Sequence, residues 1–533
     1  MEEALLGIVT TINNYLSNYV LIILLLGMGI WFTIRTKGIQ FRCFGEGWRR
    51  LFGDFSLRGG NQGGAMTSFQ ALSTAVAAQV GTGNIVGACG AIIIGGPGAI
   101  FWMWIIALLG MATNYAEAVM AQKTRVVDED GTVHGGPVYY ITTAFKGAGG
   151  KFLAGFFAVA IILALGFMGC MVQSNSIAET MNTAFGIPTW VMGLVVVILA
   201  GIVFLGGVSR LAAVTEKIVP VMAVIYILGS LVVLIMNAPA IPSTFALIFQ
   251  CAFDPQATVG GAMFGILAAI TQGAKRGLFS NEAGMGSTPH AHALAEVKEP
   301  HEQGVVAMIG VFIDTIVVVT MTALVVISTM YVGDGMLATG DYAALTAGVV
   351  TKTNIAQMAY GQFFGANVGA WFVAICLLFF AFSTILSWNL FAKLNVEWLF
   401  GKKAVVPFTV VALAFIFLGS LLSNDLVWEL ADMFNQLMVL PNAIALFALT
   451  GSILAIANKK HDKKATDVAE ERLEDKERAA AVAAAREKAK AGIADAKADA
   501  AARAVEQAEG SEVAERIRAE VDAEEAAREA ERR

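Results

Sequence analysis

The chain has 533 residues, of which 57% are hydrophobic and 15% are charged, and its mean hydropathy is +0.67. These values exclude an ordinary soluble domain and predict a polytopic membrane protein. The formal net charge is −6, but 17 of the 36 Lys and Arg residues and 20 of the 42 Asp and Glu residues lie after residue 457. The first 457 residues therefore form a charge-poor membrane part.

Eleven apolar stretches are long enough to be membrane spans. They cover residues 17–34, 67–94, 97–121, 152–184, 190–207, 213–236, 259–281, 304–331, 366–398, 404–422 and 427–457. The N-terminus lacks the basic region of a cleaved signal peptide, so we expect the first stretch to remain as a helix. The sequence therefore predicts an all-α protein with eleven transmembrane helices.

Basic residues predict the orientation of these spans. With the N-terminus outside, 18 of the 19 Lys and Arg residues before position 458, including Lys275 and Arg276, fall at or near the cytoplasmic side, and Lys352 alone falls outside. The C-terminus is then cytoplasmic.

The second span, residues 67–94, contains the sequence GTGN at positions 81–84. About 14 residues precede this break and about 10 follow it, so each half reaches only partway across a hydrocarbon core of roughly 30 Å. Open backbone at this depth must be buried in protein, where it lines a cavity. The alternative interpretation is a glycine kink that lets helices pack closely.

The two ends of the break suit opposite charges. We expect the carbonyls of Ala77 and Val80, which end the first half, to face a cation. The amides of Thr82 and Gly83, together with the Asn84 side chain, are candidates to bind a substrate carboxylate. A zwitterionic amino acid with a cation would suit such a site.

The ten spans after the first divide into two sets of five that enter the membrane from opposite sides, which predicts an inverted repeat. The seventh span opens the second set, and Gly and polar residues at positions 271–273 and 275–277 predict a second break there. The predicted regions are a leading helix with a basic loop at 1–66, the first repeat at 67–258, the second repeat at 259–457, and a charged tail at 458–533. The Ala-, Glu-, Lys- and Arg-rich tail is predicted to be a mobile cytoplasmic helix without an identifiable partner.

The stretch GGPGAIFWMWIIALLG at 95–110 resembles the signature of the sodium:alanine (alanine or glycine:cation) symporter family. The motifs SFQALSTAVAAQVGTGNIVG, MATNYAEAV, GGPVYY and KRGLFSNEAGMGS agree with it, and the resemblance covers about residues 15–457. It implies a LeuT-like fold with a five-plus-five inverted repeat, broken first and sixth core helices, and one leading helix.

The same resemblance implies the function. It predicts a symporter, not an enzyme, that imports alanine or glycine with Na⁺ across a bacterial or archaeal plasma (inner) membrane by alternating access. Serine and D-alanine are further candidate substrates, and neither an organic cofactor nor nucleic acid is implied. The alternatives are a proton-coupled carrier, in which Asp314 titrates, and a channel or sensor with the same spans.

By analogy with this fold, Ser383 and Thr384 of the ninth span complete the Na⁺ shell with the two carbonyls. The alternative for each hydroxyl is a bond to its own helix backbone. Trp388 lies one turn further on the same face. It is a candidate wall of the substrate pocket, with packing as the alternative.

Four more residues are candidates for the pocket: Gln79, Phe167, Gln173 and Thr271. Gln173 would bind the ammonium group of the substrate or limit the size of its side chain. The alternative is that this buried Gln forms hydrogen bonds with neighbouring helices. Thr271 belongs to the predicted second break, and which residue of that break faces inward stays open.

The remaining polar residues are predicted to be structural. Asp314 is expected to pair with Lys275 and Arg276, and Glu117 and Glu282 are expected to snorkel from cytoplasmic helix ends. The sequence HAH at 290–292 is expected in a solvated loop rather than at a metal. The five cysteines lack C-x-x-C spacing, so the sequence predicts neither a disulfide framework nor a zinc site.

Overall fold

The computed structural model describes residues 2–53, 66–128, 132–254, 257–259, 262–338, 345 and 348–459. These residues are almost entirely helical, with two antiparallel two-stranded hairpins. The predicted tail lies outside the described residues from position 460 onward.

The helices before residue 254 are α1 (Glu2–Arg35), α2 (Ile39–Arg42), α3 (Phe44–Gly53), α4 (Ser68–Gln79), α5 (Gly83–Gly95), α6 (Gly98–Thr124), α7 (Pro137–Ala144), α8 (Ala148–Phe185), α9 (Thr189–Phe204), α10 (Gly207–Met236) and α11 (Ile241–Phe253). Those after it are α12 (Ile266–Asn281), α13 (Pro289–Ala293), α14 (Pro300–Met330), α15 (Ile355–Phe364), α16 (Ala366–Phe400), α17 (Val405–Gly419), α18 (Asn424–Ala448) and α19 (Thr450–Ala457). The strands are β1 (Val126–Val127), β2 (Val133–His134), β3 (Ala257–Val259) and β4 (Ala262–Phe264). Several long helices contain a wider π-helical turn, as α8 does at Ile162–Gly169 and α14 at Phe312–Val319.

Among the described residues, eight helices are long and apolar enough to cross a membrane, and the bent pair α4 and α5 makes a ninth. Two further predicted spans coincide with α9 and α12, which have 16 residues each. A largely helical protein with several membrane spans is thereby confirmed. The count of eleven, the inverted repeat and the side on which each terminus lies stay predictions.

The chain divides into two compact units. The first contains residues 1–61, 66–125 and 135–457 and holds all the helices of the described residues. The described part of the second consists of residues 458–459 and the hairpin β1–β2, which pairs Val126 with His134 and Val127 with Val133. Within this hairpin unit, His134 Nε2 lies 2.9 Å from Asp128 Oδ2.

The predicted basic loop after α1 forms the short helices α2 and α3. Arg50 of α3 lies 3.1 Å from Glu46 and 3.2 Å from Glu302 at the start of α14. Burial raises the pKa of Glu46, but the hydrogen bonds and charges of His301 and Arg50 outweigh this and hold that pKa at about 2. α3 is therefore attached to α14 by charge-assisted contacts.

The second helix break lies further along the chain than predicted. α12 runs without interruption through positions 271–277, because the glycines there allow close packing. A Cβ at Gly273 would lie 2.5 Å from Trp102 Cβ of α6. The helix ends at Asn281, after which Glu282 takes a left-handed φ of 58° and Gly284 takes a φ of 90°. The break therefore spans positions 282–288.

Charged and titratable residues near this second break are buried, so the predictions of snorkelling and of a solvated loop were wrong. Glu117 and Glu282 are 0% exposed, and His290 and His292 are 1% exposed. The Glu117 carboxylate accepts hydrogen bonds from the amides at 284 and 286 at 3.0 and 2.9 Å and from Asn442 at 2.6 Å. The Glu117 side chain therefore forms hydrogen bonds with the backbone of the break and does not reach the surface.

Two basic residues of α12 also differ from their prediction. Lys275 lies 2.8 Å from Asp432 of α18, and Arg276 lies 3.0 Å from the same carboxylate. Arg276 and Lys352 both approach the ring of Trp428, at 4.5 and 5.6 Å from its centroid. The structure therefore brings Arg276 and Lys352 to the same ring, whereas the prediction placed them on opposite sides of the membrane.

Candidate functional site

The first helix break was predicted at its observed position. α4 begins with a capping box in which Thr67 and Gln70 exchange hydrogen bonds of 3.1 Å, and it ends at Gln79. Val80 leaves helical geometry with ψ of 87°, and α5 resumes at Gly83 with a bend of 47° between the halves. Every residue from 71 to 92 is buried, so the opened backbone lies inside the protein.

The glycines of this break are required by close contacts with three other helices. A Cβ at Gly81 would lie 2.4 Å from Thr384 Oγ1 of α16 and 3.2 Å from Gln173 Oε1 of α8. A Cβ at Gly83 would lie 3.1 Å from Phe279 Cδ1 of α12. The break is therefore the point at which α8, α12 and α16 meet the α4–α5 pair.

Neutral oxygens gather at the end of the first half-helix. Thr384 Oγ1 donates to the Ala77 carbonyl at 2.8 Å and lies 3.5 Å from the Val80 carbonyl. The Phe380 carbonyl of the same helix lies 3.0 Å from Thr384 Oγ1 and accepts a hydrogen bond from the Ser383 hydroxyl at 2.9 Å. The structure thus joins three of the four predicted Na⁺ ligands, and such oxygen dipoles suit a hard cation.

Two of the three groups predicted to bind a carboxylate, the Thr82 amide and the Asn84 side chain, have protein partners in this structure. The Thr82 amide donates to Gln173 Oε1 at 3.0 Å. Asn84 Oδ1 accepts from the Gly81 amide at 2.8 Å, and Asn84 Nδ2 donates to the Asp314 carbonyl at 3.2 Å and to its carboxylate. The Asn84 side chain therefore stabilises the break by linking Gly81 to Asp314.

Other polar atoms beside the break are buried without a hydrogen-bond partner among the described residues. They are Thr82 Oγ1, Gln173 Nε2 and Gln79 Oε1. The Gln79 amide nitrogen donates at 2.7 Å to the carbonyl of Asn281, where the second break begins. Because an unpaired buried polar group costs about 1–3 kcal/mol, these three atoms provide hydrogen-bonding capacity for a polar ligand.

Large aromatic side chains border the same region. The Trp388 indole N–H donates to the Glu282 carboxylate, and its ring centroid lies 5.6 Å from that of Phe279. The Phe279 ring lies 4.6 Å from that of Trp428, and a Cβ at Gly87 would lie 3.4 Å from Trp428. The rings of Trp388, Phe279 and Trp428 thus form a continuous aromatic group beside the two breaks.

Asp314 of α14 belongs to this site, although the sequence predicted it to pair with Lys275 and Arg276. Its side chain is 0% exposed. Its carboxylate accepts from Ser280 Oγ at 2.9 Å, from Thr315 Oγ1 at 2.7 Å and from Asn84. Among the described residues these hydrogen-bond donors are all neutral, and a buried carboxylate in a membrane span is a functional candidate.

Two predicted pocket residues lie in other surroundings. Phe167 stacks on Phe415 of α17 with ring centroids 4.6 Å apart. Thr271 lines a cavity of about 290 Å³ together with Asn14 and Ser17 of the leading helix α1 and Lys275 of its own helix. The structure does not bring these two side chains to the first break.

Comparison with known proteins agrees with the resemblance seen in the motifs. Residues 2–474 match the sequence profile of the sodium:alanine symporter family. An "Uncharacterized transporter" of Haemophilus influenzae is 41% identical over 84% of this chain and 94% of its own length. "Sodium/alanine symporter AgcS" of Methanococcus maripaludis is 39% identical over 84% of this chain and 96% of its own length, and "Probable sodium/glutamine symporter GlnT" of Bacillus subtilis is 38% identical over 87% and 93%.

Proposed function

The chain belongs to the sodium:alanine symporter family, and from this premise we propose that it imports alanine or glycine together with Na⁺ by alternating access. As a family member it is a sodium-coupled amino-acid symporter and not an enzyme. The named relatives include one for alanine and one for glutamine, so the choice of a small substrate depends on the residues around the break.

The observation that carries this proposal is the contact of Thr384 with the end of α4. A Na⁺ ion at this position would bind the Ala77 and Val80 carbonyls and the Thr384 hydroxyl, which would rotate its hydrogen away from Ala77 to present a lone pair. Ser383, one residue before Thr384, is the fourth proposed ligand. Such an ion would fasten α4 to α16 and order the break.

The substrate is proposed to lie beside this ion. The Thr82 hydroxyl and the Gln173 amide group would donate hydrogen bonds to the carboxylate of the substrate. The N-terminal end of α5 and the Gly83 backbone would supply a favourable electrostatic potential for this negative charge. Gln79 Oε1 would accept from the ammonium group. These assignments use the three atoms that have no protein partner among the described residues.

Selectivity for a small side chain is proposed to come from Trp388 and Phe279. A pocket discriminates by only about 1–3 kcal/mol per methylene, so serine is proposed as a weaker substrate, and D-alanine is a further proposed substrate. Na⁺ binding would favour an outward-open state and prepare the half-helix ends for the carboxylate, and downhill Na⁺ entry would then drive uptake.

The test is uptake of labelled alanine into proteoliposomes with an inward Na⁺ gradient or an equal K⁺ gradient. Unlabelled glycine, serine, leucine and glutamine serve as competitors. We expect uptake only with Na⁺ and competition by glycine and serine but not by leucine or glutamine. Equal uptake in K⁺ would refute sodium coupling, and stronger competition by glutamine would refute the small-substrate assignment.

Proton coupling is a second candidate because of Asp314. Its carboxylate is buried and bonded to three neutral donors beside the break, so a proton or a cation would neutralise it. Uptake driven by a pH gradient in Na⁺-free buffer, lost in Asp314→Asn, would support this candidate. Absence of such uptake in the wild-type protein would exclude it.

A further inference from the structure

Three side chains with metal-binding atoms meet at the attachment of α3 to α14. They are Cys43, which lies between α2 and α3, Glu46 of α3, and His301 of α14. We propose that they form a binding site for one transition-metal dication of the Zn²⁺ class. This site is separate from the helix break and does not depend on the identity of the transported amino acid.

The distances between the donor atoms suit one ion. The Cys43 sulfur, a Glu46 oxygen and a His301 ring nitrogen all lie within 4.8 Å of one another, and His301 Nε2 is 3.6 Å from Glu46 Oε1. Tetrahedral zinc places such atoms roughly 3.3–3.6 Å apart. Side-chain adjustments of about 1 Å would therefore bring all three to one ion, with water as the fourth ligand.

The types of donor also suit this class of metal. A thiolate, an imidazole and a carboxylate are the ligands that bind Zn²⁺ in proteins, whereas Mg²⁺ and Ca²⁺ prefer oxygen alone. Binding would convert the Cys43 thiol to a metal-bound thiolate and release one proton to solvent. The two negative charges of Cys43 and Glu46 would then balance the charge of the ion.

A second shell orients the histidine ligand. His301 Nδ1 lies 2.7 Å from the Tyr115 hydroxyl of α6. When Nδ1 carries the proton and donates to Tyr115, the lone pair of Nε2 points to the side of Glu46, the arrangement usual for metal-bound histidines. Arg50 lies 3.1 Å from Glu46, so its guanidinium competes with the metal for that carboxylate.

Sequence spacing gave no sign of this site because Cys43 and His301 are far apart in the chain. A bound metal would fasten α3 to α14, the helix that also carries Asp314. We therefore expect the ion to stabilise the folded protein measurably.

The direct test uses Co²⁺ as a spectroscopic substitute for Zn²⁺ in the tag-free, reduced, full-length protein. We expect one Co²⁺ per chain with a thiolate-to-cobalt charge-transfer band, and displacement of Co²⁺ by Zn²⁺. Cys43→Ser should abolish the band, and His301→Asn should weaken Zn²⁺ binding at least about tenfold. Cys376→Ser and His134→Asn, which alter another buried cysteine and the half-buried hairpin histidine, are the matched controls and should bind like the wild type.

A thermal-unfolding measurement guards against misfolded variants. Wild-type protein should unfold at a higher temperature with Zn²⁺ than with the chelator EDTA, whereas Cys43→Ser should show no such difference. No charge-transfer band in the wild type, or a band that persists in Cys43→Ser, would overturn the proposal. Arg50→Gln should bind Zn²⁺ more tightly than the wild type, because it removes the competing charge, and weaker binding would contradict the assigned role of Glu46.

Discussion

The two helix breaks differ in how far their polar groups are bonded by the protein itself. At the second break, carboxylates of the protein accept the hydrogen bonds. Glu117 accepts from two backbone amides, and Glu282 accepts from Trp388 and Ser287. At the first break, side-chain atoms of Gln79, Thr82 and Gln173 have no partner among the described residues. The difference indicates that the second break is maintained by the protein itself, whereas the first has polar groups available for a ligand.

The largest effect is expected from adding one methyl group at the first break. In Gly81→Ala the new Cβ would lie 2.4 Å from Thr384 Oγ1, and overpacking costs about 1–3 kcal/mol or more. We expect Na⁺-dependent uptake to fall by more than about tenfold. Gly155→Ala, where nothing lies within 4 Å of the added atom, is the matched control and should transport normally. Normal uptake by Gly81→Ala would contradict the close contact.

A substitution at the second break should lower the stability of the protein without changing its affinity for alanine. Glu117→Ala leaves two backbone amides without their acceptor, at a cost of about 1–3 kcal/mol each, and removes one of the two acceptors of Asn442 Nδ2. We expect a clearly lower unfolding temperature for detergent-solubilised protein, with a smaller decrease in Glu117→Gln, which can still accept hydrogen bonds. Alanine affinity of the folded fraction should stay within about twofold of the wild type. A large loss of affinity without loss of stability would assign this break to the substrate.

A matched pair of neighbouring hydroxyls tests the cation end of the first break. In Thr384→Ala the hydroxyl that contacts Ala77 is removed, and we expect the Na⁺ concentration for half-maximal uptake to rise about tenfold. Both hydroxyls contact the Phe380 carbonyl of their own helix, but the contact with Ala77 is made by Thr384, so Ser383→Ala should raise this Na⁺ concentration less. Equal effects of both changes would show that Ser383 rotates into the Na⁺ shell, as the sequence predicts, and unchanged Na⁺ activation in Thr384→Ala would remove Thr384 from the site.

The smallest effect is expected at Thr271. Its side chain faces the cavity beside α1 and not the first break. Thr271→Val should therefore leave the alanine concentration for half-maximal uptake within about twofold of the wild type. A larger change in this concentration would mean that the cavity beside the leading helix is part of the substrate site or coupled to it.

The sequence predicted the first break because its glycines interrupt an otherwise apolar span. It misplaced the second break because Gly273 and Gly277 look like helix breakers, although they serve close packing against α6. The glycine pair at 284 and 286 was a usable signal, and so was the acidic Glu117 in the middle of a long apolar helix. The buried histidines and the partners of Asp314 were not predictable, because they depend on contacts between residues far apart in the chain.

The composition of the proposed cation site has an electrical consequence. The Ala77, Val80 and Thr384 oxygens are neutral, so a Na⁺ ion held by them keeps its full charge while a zwitterion adds none. Each transport cycle with one such ion would then move one positive charge across the membrane. At a membrane potential of about 100 mV this contributes about 2.3 kcal/mol, equivalent to roughly fifty-fold accumulation of the substrate before any Na⁺ concentration gradient is counted.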